Sequence, residues 1–239
     1  HFTDDLKLLL GANYIQAESK GASYGTDTIY DENKVLPYVG LTYNFSPEYT
    51  GYMNYTSIFR PQTTKALDGN INKPIEGDSY EIGVKSSWLD DRLTASMAVF
   101  RTEENNYPLR NSDGSPTLRK TQVSDLRSQG YEFGFAGQLT DDLNLSFGYT
   151  QFSLKDLKNG GDARTFNPTQ SLNLLTTYQV PQVPQLKLGL GVQWQDKTHL
   201  DIAESSANGV VTQKAGTIQQ DAYALVNLMA SYELNDHIT

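Results

Sequence analysis

The sequence predicts an all-β fold, a transmembrane antiparallel up-and-down β-barrel, from three observations. Ten stretches alternate apolar and polar residues at period two, and a strand points successive side chains to opposite faces. Very short connectors alternate with long polar ones along the chain. The polar face holds mostly Gly, Ser, Thr, Asn and Gln, and aromatic residues stand at strand ends. A soluble sandwich, the alternative, usually carries many Lys and Glu residues on that face. We therefore expect the apolar face to contact lipid and the polar face to line a wet lumen.

The first three strands are predicted at about 6–16, 35–45 and 49–59. In the second strand Val35, Val39 and Tyr43 belong to the apolar set, while Gly40 and Thr42 belong to the polar set. The connector Phe45-Ser-Pro-Glu48 favours a tight turn because Ser and Pro promote turn geometry. The polar stretch 17–33 is instead predicted to be a long loop.

The middle four strands follow the same rule. Tyr80, Ile82 and Val84 oppose Glu81 and Lys85, and a strand at about 92–102 follows the acidic turn Leu89-Asp-Asp-Arg92. Tyr131, Phe133 and Phe135 oppose Glu132 and Gly134 in the next strand, and Leu143 to Tyr149 returns after Thr140-Asp-Asp142. Long loops are predicted at 60–77 and 103–126, and we expect the six named apolar residues to face lipid and Glu81 and Glu132 to face the interior.

The last three strands are predicted at 170–180, 186–195 and 222–233. Leu186, Leu188 and Leu190 alternate with Lys187 and Gly189, and the prolines in 180–185 make the preceding turn short. The remaining long loops are 155–168 and 198–219. Both ends of the chain coincide with turns, so residues 1–239 are interpreted as one segment of a larger barrel of about 22 strands.

Composition excludes several classes of protein. The chain has no cysteine, which removes disulfide scaffolds and thiol catalysis. Its net charge of −9 argues against a nucleic-acid partner. His1, His199 and His237 are scattered without metal-ligand spacing, so no protein-bound metal is predicted. No continuous apolar run is long enough for a helical membrane span.

Particular peptides resemble the barrel of TonB-dependent siderophore receptors across nearly the whole chain. They lie at 37–43, 55–62, 74–85, 92–101, 130–133 and 223–229. The stretch from Pro181 to Trp194 is most similar to the branch that contains coprogen, rhodotorulic acid and alcaligin receptors. The resemblance covers the C-terminal part of the barrel and implies that a plug domain, the first strands and the closing strands lie outside these residues.

The resemblance implies a monomeric receptor of the bacterial outer membrane that imports a ferric siderophore, expected to be of the hydroxamate type. Its energy would come from the TonB–ExbB–ExbD complex, which would bind the absent N-terminal part. Lipid and lipopolysaccharide would surround the barrel. Glu81, Lys85 and Glu132 would project into the lumen, where they pair with each other or with the plug. The siderophore would itself coordinate the iron, so no cofactor bound directly by the protein is expected.

Candidate ligand contacts are the aromatic and arginine residues of the long loops and outer strand ends. Aromatic faces hold polar chelates, and the guanidinium group can bond their oxygens in two places. Trp194 is the weakest of these, because it alternates with the lipid-facing set. The stronger candidates are Tyr24, Tyr30, Phe59, Arg60, Tyr107, Arg110, Arg119, Arg164 and Phe166. Lipopolysaccharide contact, girdle positions and loop packing remain open for each residue.

Other functions stay open at this point. The ligand could be haem, cobalamin or a catecholate siderophore, although Phe59-Arg-Pro-Gln62 has no neighbouring His of the kind that haem receptors carry. A passive porin-like barrel is a second class. An outer-membrane hydrolase is a third, but only His199 lies in an outer loop and no nucleophile stands beside it, so the chain is not expected to be an enzyme.

Overall fold

The computed structural model describes residues 5–23, 26–27, 29–66, 68–109, 122–202, 204–207 and 210–234. Ten long strands form one antiparallel sheet in which neighbours along the chain are neighbours in the sheet. The strands are β1 (Leu6–Ser19), β2 (Tyr30–Ser46), β3 (Tyr49–Arg60), β4 (Ile75–Trp88), β5 (Leu93–Leu109), β6 (Gln122–Thr140), β7 (Leu143–Asp156), β8 (Gln170–Gln179), β9 (Leu186–Gln195) and β10 (Tyr223–Tyr232). The predicted up-and-down topology and the number of strands are confirmed.

The strand register places most apolar residues of the ten strands on one face, called here the apolar face, although Leu9, Phe100 and Leu175 lie on the other. A continuous row of register pairs runs through Val84, Met97, Phe133, Tyr149, Leu172 and Trp194. The adjacent row on the opposite face, called here the polar face, runs through Lys85, Ser96, Gly134, Gly148, Asn173 and Gln193. The prediction that Tyr80, Ile82, Val84, Tyr131, Phe133 and Phe135 share one face, with Glu81 and Glu132 on the other, is confirmed.

The apolar face is open rather than packed against a second sheet. Ile82 is 52% exposed and Leu228 is 82% exposed, whereas the inner face of a sandwich would bury such side chains. Aromatic pairs lie along the same face, including Tyr131 with Tyr149 and Phe133 with Phe147, at ring-centroid distances of 6.1 and 5.8 Å. The open face, with its aromatic rows, is the arrangement of lipid-facing barrel strands.

The two ends of the sheet have different connections. Four short turns join β2 to β3, β4 to β5, β6 to β7 and β8 to β9 at one end, as predicted. In the second of these turns Leu89, Asp90 and Asp91 all have positive φ values, a conformation that Asp tolerates better than most residues. The long connectors all lie at the other end of the sheet, called here the outer end. There, short two-stranded ribbons pair Thr198–Ile202 with Gly216–Gln220 and Ser205–Ala207 with Val210–Gln213.

The predicted loop boundaries at the outer end are wrong in part. β5 continues to Leu109 and β6 begins at Gln122, so much of the predicted loop 103–126 is paired strand. The stretch 198–219 also contains ribbon structure rather than irregular loop. We call the part of the strands in which apolar residues cover one face the apolar band. Between this band and the outer end, both faces of a strand carry polar side chains, so the alternation that reveals a strand disappears while backbone pairing continues. Across the described ranges, no helix is long and apolar enough to span a membrane.

Candidate functional site

Four of the predicted ligand residues form one cluster at the outer end of the sheet, called here the outer cluster: Arg60, Tyr107, Arg164 and Phe166. Two guanidinium groups lie over the ring of Tyr107, with Arg60 Cζ 5.9 Å and Arg164 Cζ 5.5 Å from its centroid. The same Arg164 carbon lies 5.4 Å from the ring centroid of Phe166. An N–H of Arg164 also donates a hydrogen bond to the Tyr107 hydroxyl. The cluster thus combines aromatic faces with two positive charges.

A β-bulge places Tyr107 on the polar face. Glu104 pairs with Leu126 and Tyr107 pairs with Ser124, so β5 advances three residues while β6 advances two. In unbroken alternation Tyr107 would share the apolar face with Met97 and Val99. The extra residue reverses the side to which the following side chains point. Tyr107 therefore lies on the same face as Arg60 because of this single irregularity.

Polar contacts around Asn106 hold the bulge in place. Asn106 has a φ of 59°, in the left-handed region where Asn is more common than other non-glycine residues. Its backbone N–H donates to Asp125 Oδ1 at 3.2 Å, and its side-chain amide donates to the Pro74 carbonyl at 3.1 Å. The Gln62 side chain donates to the Asn106 carbonyl at 2.9 Å. These contacts tie β5 to its neighbours on both sides at the position of the bulge.

The two arginines differ in their electrostatic surroundings. Arg60 Nη2 lies 3.2 Å from Glu104 Oε1, so its charge already has an acidic partner. Arg164 forms no ion pair with any carboxylate among the residues the structure describes. Its backbone has a φ of 51°, and a strained conformation of this kind in a non-glycine residue often marks a functional position. Among the described residues, the Tyr107 hydroxyl is the one hydrogen-bond acceptor that its guanidinium contacts.

A hydrogen-bonded loop supports the side of the cluster that faces β7. Ser124, which pairs with Tyr107, is fully buried and its hydroxyl donates to Asp156 Oδ1. The backbone N–H groups of Lys158 and Asn159 donate to the same oxygen at 3.0 and 2.9 Å. Burial acts to raise the pKa of Asp156, but the hydrogen bonds from Asn159 and Ser124 outweigh it and lower that pKa below its ordinary value. Asp156 lies beyond the apolar band, at the outer end of β7.

Within the described residues, three other candidates lie apart from the outer cluster: Phe59, Tyr30 and Trp194. Phe59 pairs with Glu76 on the same side as Tyr55 and Tyr80. It therefore lies on the continuation of the apolar face towards the outer end, called here the outward face, and opposite to Arg60. Tyr30 lies on the polar face at the first position of β2, outside the outer cluster. Trp194 lies on the apolar face, as its alternation predicted. Tyr24, Arg110 and Arg119 lie outside the described residues.

Sequence reasoning missed Glu104 and Asn106, which position the cluster without being aromatic or arginine. The neighbouring pair Asn105-Asn106 is the signal that was available, since Asn readily adopts the left-handed conformation that a bulge requires. The ion pair of Glu104 with Arg60 joins residues 44 positions apart, and no local pattern indicates it.

A second polar cluster lies on the polar face, at the same level along the strands as the apolar band. It consists of Tyr52, Glu81, Lys85 and Glu132. The Tyr52 ring lies across Gly83, where an added Cβ would come within 2.6 Å of it. Lys85 Nζ is 5.0 Å from the centroid of that ring, and the Tyr52 hydroxyl interacts with the carboxylate of Glu81 and, at longer range, with that of Glu132. Within the described ranges Lys85 forms no ion pair with either glutamate, so both acids lie on this wall without a cationic partner.

Among the described residues no group of three or more His, Cys, Asp or Glu side chains could hold a metal ion. The chemistry of the outer cluster is therefore that of a binding site with aromatic faces and guanidinium donors. It can hold a planar or anionic group by stacking and by charge-assisted hydrogen bonds.

Comparison with known proteins identifies relatives of the whole chain. The profile of a family described as TonB dependent receptor-like, beta-barrel matches residues 1–239. The ferripyoverdine receptor of Pseudomonas aeruginosa is 30% identical over 247 residues, which cover 99% of this chain and 29% of that receptor. The chain therefore spans less than a third of the length of the curated relatives it matches.

Solved structures share the architecture, and two of them are described here. The ferripyoverdine receptor of the Pseudomonas aeruginosa outer membrane, bound to ferripyoverdine, superposes with a TM-score of 0.83 at 29% identity, over 98% of this chain and 31% of that one. The alcaligin outer-membrane receptor FauA of Bordetella pertussis superposes with a TM-score of 0.76 at 31% identity, over 99% of this chain and 39% of that one. Both relatives are named as receptors rather than enzymes.

Proposed function

This chain belongs to the TonB-dependent receptor β-barrel family of the outer membrane, and from that premise we propose that it forms the barrel wall and part of the outer mouth of a ferric siderophore receptor. The polar face lines the lumen and the apolar face contacts lipid. The outer cluster is the observation that carries the proposal. It places two guanidinium groups and two aromatic rings on loops and upper strand ends of the lumen side, where a ligand arriving from outside would first meet the protein.

A hydroxamate chelate is the first ligand class to test. Hydroxamate oxygens accept hydrogen bonds, and a guanidinium group offers several N–H donors in a fixed plane. The relatives described above bind ferripyoverdine or alcaligin according to their names. The iron would arrive as cargo inside the chelate, which agrees with a site made of rings and donors rather than of metal ligands.

We propose that the two lumen glutamates dock the plug domain of the complete receptor. Glu81 and Glu132 carry negative charge on the lumen wall, and Lys85 is engaged with the Tyr52 ring instead. A charged side chain in a partly enclosed lumen has lost part of its contact with water, and an oppositely charged group beside it offsets that cost. A plug surface with guanidinium or ammonium groups would supply these partners. Import would then require energy from the TonB–ExbB–ExbD complex to displace the plug.

Uptake of iron by living cells tests the proposed function. A strain that lacks the complete receptor is starved of iron and supplied with radioactive ferric hydroxamate, ferric catecholate or haem, with and without a plasmid carrying the receptor gene. We expect the plasmid to restore uptake of at least one ferric siderophore, and to do so only when TonB is present. Uptake that continues without TonB would identify a passive porin-like barrel, and restored growth on haem alone would identify a haem receptor.

Variants of the outer cluster separate binding from barrel assembly. The double variant Arg60→Gln, Arg164→Gln should lower uptake at low chelate concentration while the amount of receptor in the outer membrane stays constant. The matched control is Arg92→Gln, because Arg92 lies in the turn between β4 and β5, at the opposite end, and pairs with Asp141 at 3.1 Å. Equal loss of uptake in both variants would exclude the outer cluster as the binding site.

A further inference from the structure

The charge balance of the outer cluster indicates the charge of the ligand. Arg60 and Arg164 contribute two positive charges, and Glu104, paired with Arg60, contributes one negative charge. The whole chain carries a net charge of −9, so an anion approaching the protein meets general repulsion except where cations are concentrated. A site for a cationic chelate would have used acidic side chains in the place of Arg164.

Arg164 is positioned to receive an anion rather than to stabilise the fold. Its guanidinium lies over the rings of Tyr107 and Phe166, and cation–π contacts of this kind do not use the N–H groups as hydrogen-bond donors. A guanidinium edge bonds a carboxylate through two parallel hydrogen bonds. One donor is used by the Tyr107 hydroxyl, and no described carboxylate takes the others.

The backbone around Arg164 keeps this orientation. The hydroxyl of Thr165 donates to the His199 carbonyl at 2.7 Å, and the His199 N–H donates to the Thr165 carbonyl at 3.0 Å. The Asn167 N–H donates to the Arg164 carbonyl at 2.9 Å and closes a turn around residues 164–167. Arg164 is itself in a left-handed conformation, and these hydrogen bonds join its loop to the base of the neighbouring ribbon, so the backbone that carries its guanidinium is anchored on both sides.

We infer that the receptor selects an anionic ferric chelate, and that Arg164 is the residue that receives its negative group, with Tyr107 and Phe166 holding the guanidinium in place. This inference rests on the proposed function and adds the charge class of the ligand to it. Arg60 has a smaller part, because its charge is already shared with Glu104. A neutral chelate binds through stacking alone, and a cationic chelate is repelled.

A series of chelates with one iron-binding core and different charges tests the inference. The probes are the ferric complexes of desferrioxamine B, which is cationic, of its N-acetyl derivative, which is neutral, and of its N-succinyl derivative, which is anionic. A ferric tris-catecholate and neutral ferrichrome form a second pair with other cores. Affinities are measured on the complete receptor in outer-membrane vesicles. Within the desferrioxamine series we expect the anionic complex to bind about tenfold tighter than the neutral one, which is a modest coupling for one charge-assisted contact. The second pair shows whether the same order holds when the core also changes.

Substitutions at Arg164 assign the preference to a residue. Arg164→Gln should reduce the difference between anionic and neutral chelates to less than about twofold, whereas Arg164→Lys should keep part of it because the charge remains. The affinity for the neutral chelate reports whether the site is still folded. The matched control is Arg127→Gln, since Arg127 lies at the same end but on the outward face, where it pairs with Glu103 at 2.7 Å. The control should leave the preference unchanged.

The possible outcomes distinguish a failure of the charge inference from a failure of the proposed function. If the receptor binds neutral or cationic chelates as tightly as anionic ones, the charge inference fails while the proposed function stands. If Arg127→Gln reduces the preference as much as Arg164→Gln does, the preference comes from general charge and the assignment to Arg164 fails. If the complete receptor binds no ferric complex of any charge, the proposed function fails and the inference fails with it.

Discussion

The lower and upper parts of the same strands follow different rules. In the lower part, between the short turns and the aromatic rows, apolar and polar side chains alternate in register, as in the rows through Phe133 and Gly134. The register shifts of this part, at Asn44–Ser46 and Gln138–Thr140, stand directly beside two short turns. Above those rows the outward face carries Arg101, Glu103 and Arg127, and a bulge at Asn106 breaks the register. The lower part is constrained by hydrocarbon, where each exposed polar atom is costly. The upper part is free to vary, and the outer cluster lies there.

The largest expected effect tests the lower part of this comparison. Phe133→Lys places a charge on the apolar face and should cost about 2–4 kcal/mol near the middle of the bilayer. Its neighbour Gly134 lies on the polar face, where an added Cβ would meet only Ser96 Oγ at 2.9 Å, the end of a side chain that can rotate away. Gly134→Ser should therefore be tolerated. The measurement is the fraction of complete receptor that assembles in outer membranes.

Equal assembly of these two variants would contradict the assignment of the faces. Val84→Lys and Lys85→Ser form a second pair in the same two rows of the sheet. Agreement between the two pairs would show that the difference belongs to the face rather than to one position.

The second prediction breaks the upper part of the comparison without touching the lower part. Inserting one alanine between Asn106 and Tyr107 moves Tyr107 one position along β5, from opposite Ser124 to opposite Val123, so its side chain should turn to the outward face. The two arginines then lose the ring between them, and the affinity for the ferric ligand should fall about tenfold. The direct substitution Tyr107→Ala should give a similar loss. Both are measured by ligand binding to assembled receptor.

Tyr131→Ala serves as the control for that prediction. It removes a tyrosine of the neighbouring strand that lies on the apolar face, where its hydroxyl donates to Gln151 at 2.7 Å. The ligand affinity of the Tyr131→Ala receptor should stay within about twofold of that of the unchanged receptor. If the receptor with the inserted alanine retains full affinity, the side to which Tyr107 points does not determine the binding site.

The third prediction concerns the lumen wall and has an intermediate effect. Glu81→Gln together with Glu132→Gln removes both negative charges from the proposed plug contact, so the plug of the complete receptor should be held less firmly. Passive leak of a small dye through the receptor should rise severalfold, while affinity at the outer cluster stays the same. Glu48→Gln, in the turn between β2 and β3, is the matched control. Unchanged leak in the double variant would remove the glutamates from plug docking.

The sequence predicted the lower part of the molecule well because one physical cause acts on every residue there. A strand between lipid and lumen must alternate, so Ile82 and Glu81 could be assigned to faces without coordinates. At the outer end no such cause acts on single residues. Phe59 and Arg60 were both predicted as ligand contacts from their chemistry, yet the register places them on opposite faces.

The composition of the outer cluster could be predicted only in part, for the same reason. Residue type alone selected Arg60, Tyr107, Arg164 and Phe166, which the structure brings together. Their proximity depends on a hydrogen bond between residues 57 positions apart and on a bulge that reverses the side of Tyr107. Long-range pairings of this kind follow from the complete register of the sheet, which one sequence does not provide.

The smallest expected effect is a pH dependence of the loop that follows Asp156. Because the pKa of Asp156 is lowered from its ordinary value of 3.8, its charge stabilises the loop at pH values above 3.8, and that contribution is lost as the pH falls through the lowered value. The backbone N–H groups of Lys158 and Asn159 should therefore keep constant protection from hydrogen exchange between neutral pH and about pH 4, and lose it in stronger acid. Asp156→Asn should remove this dependence, since the amide has no charge to lose.

The Asn72 N–H, which donates to the neutral Thr64 carbonyl at 2.8 Å in another outer loop, is the control and should show no such change. If protection at both loops falls together, acid loosens the whole outer end, and the Asp156 carboxylate is not what holds its own loop.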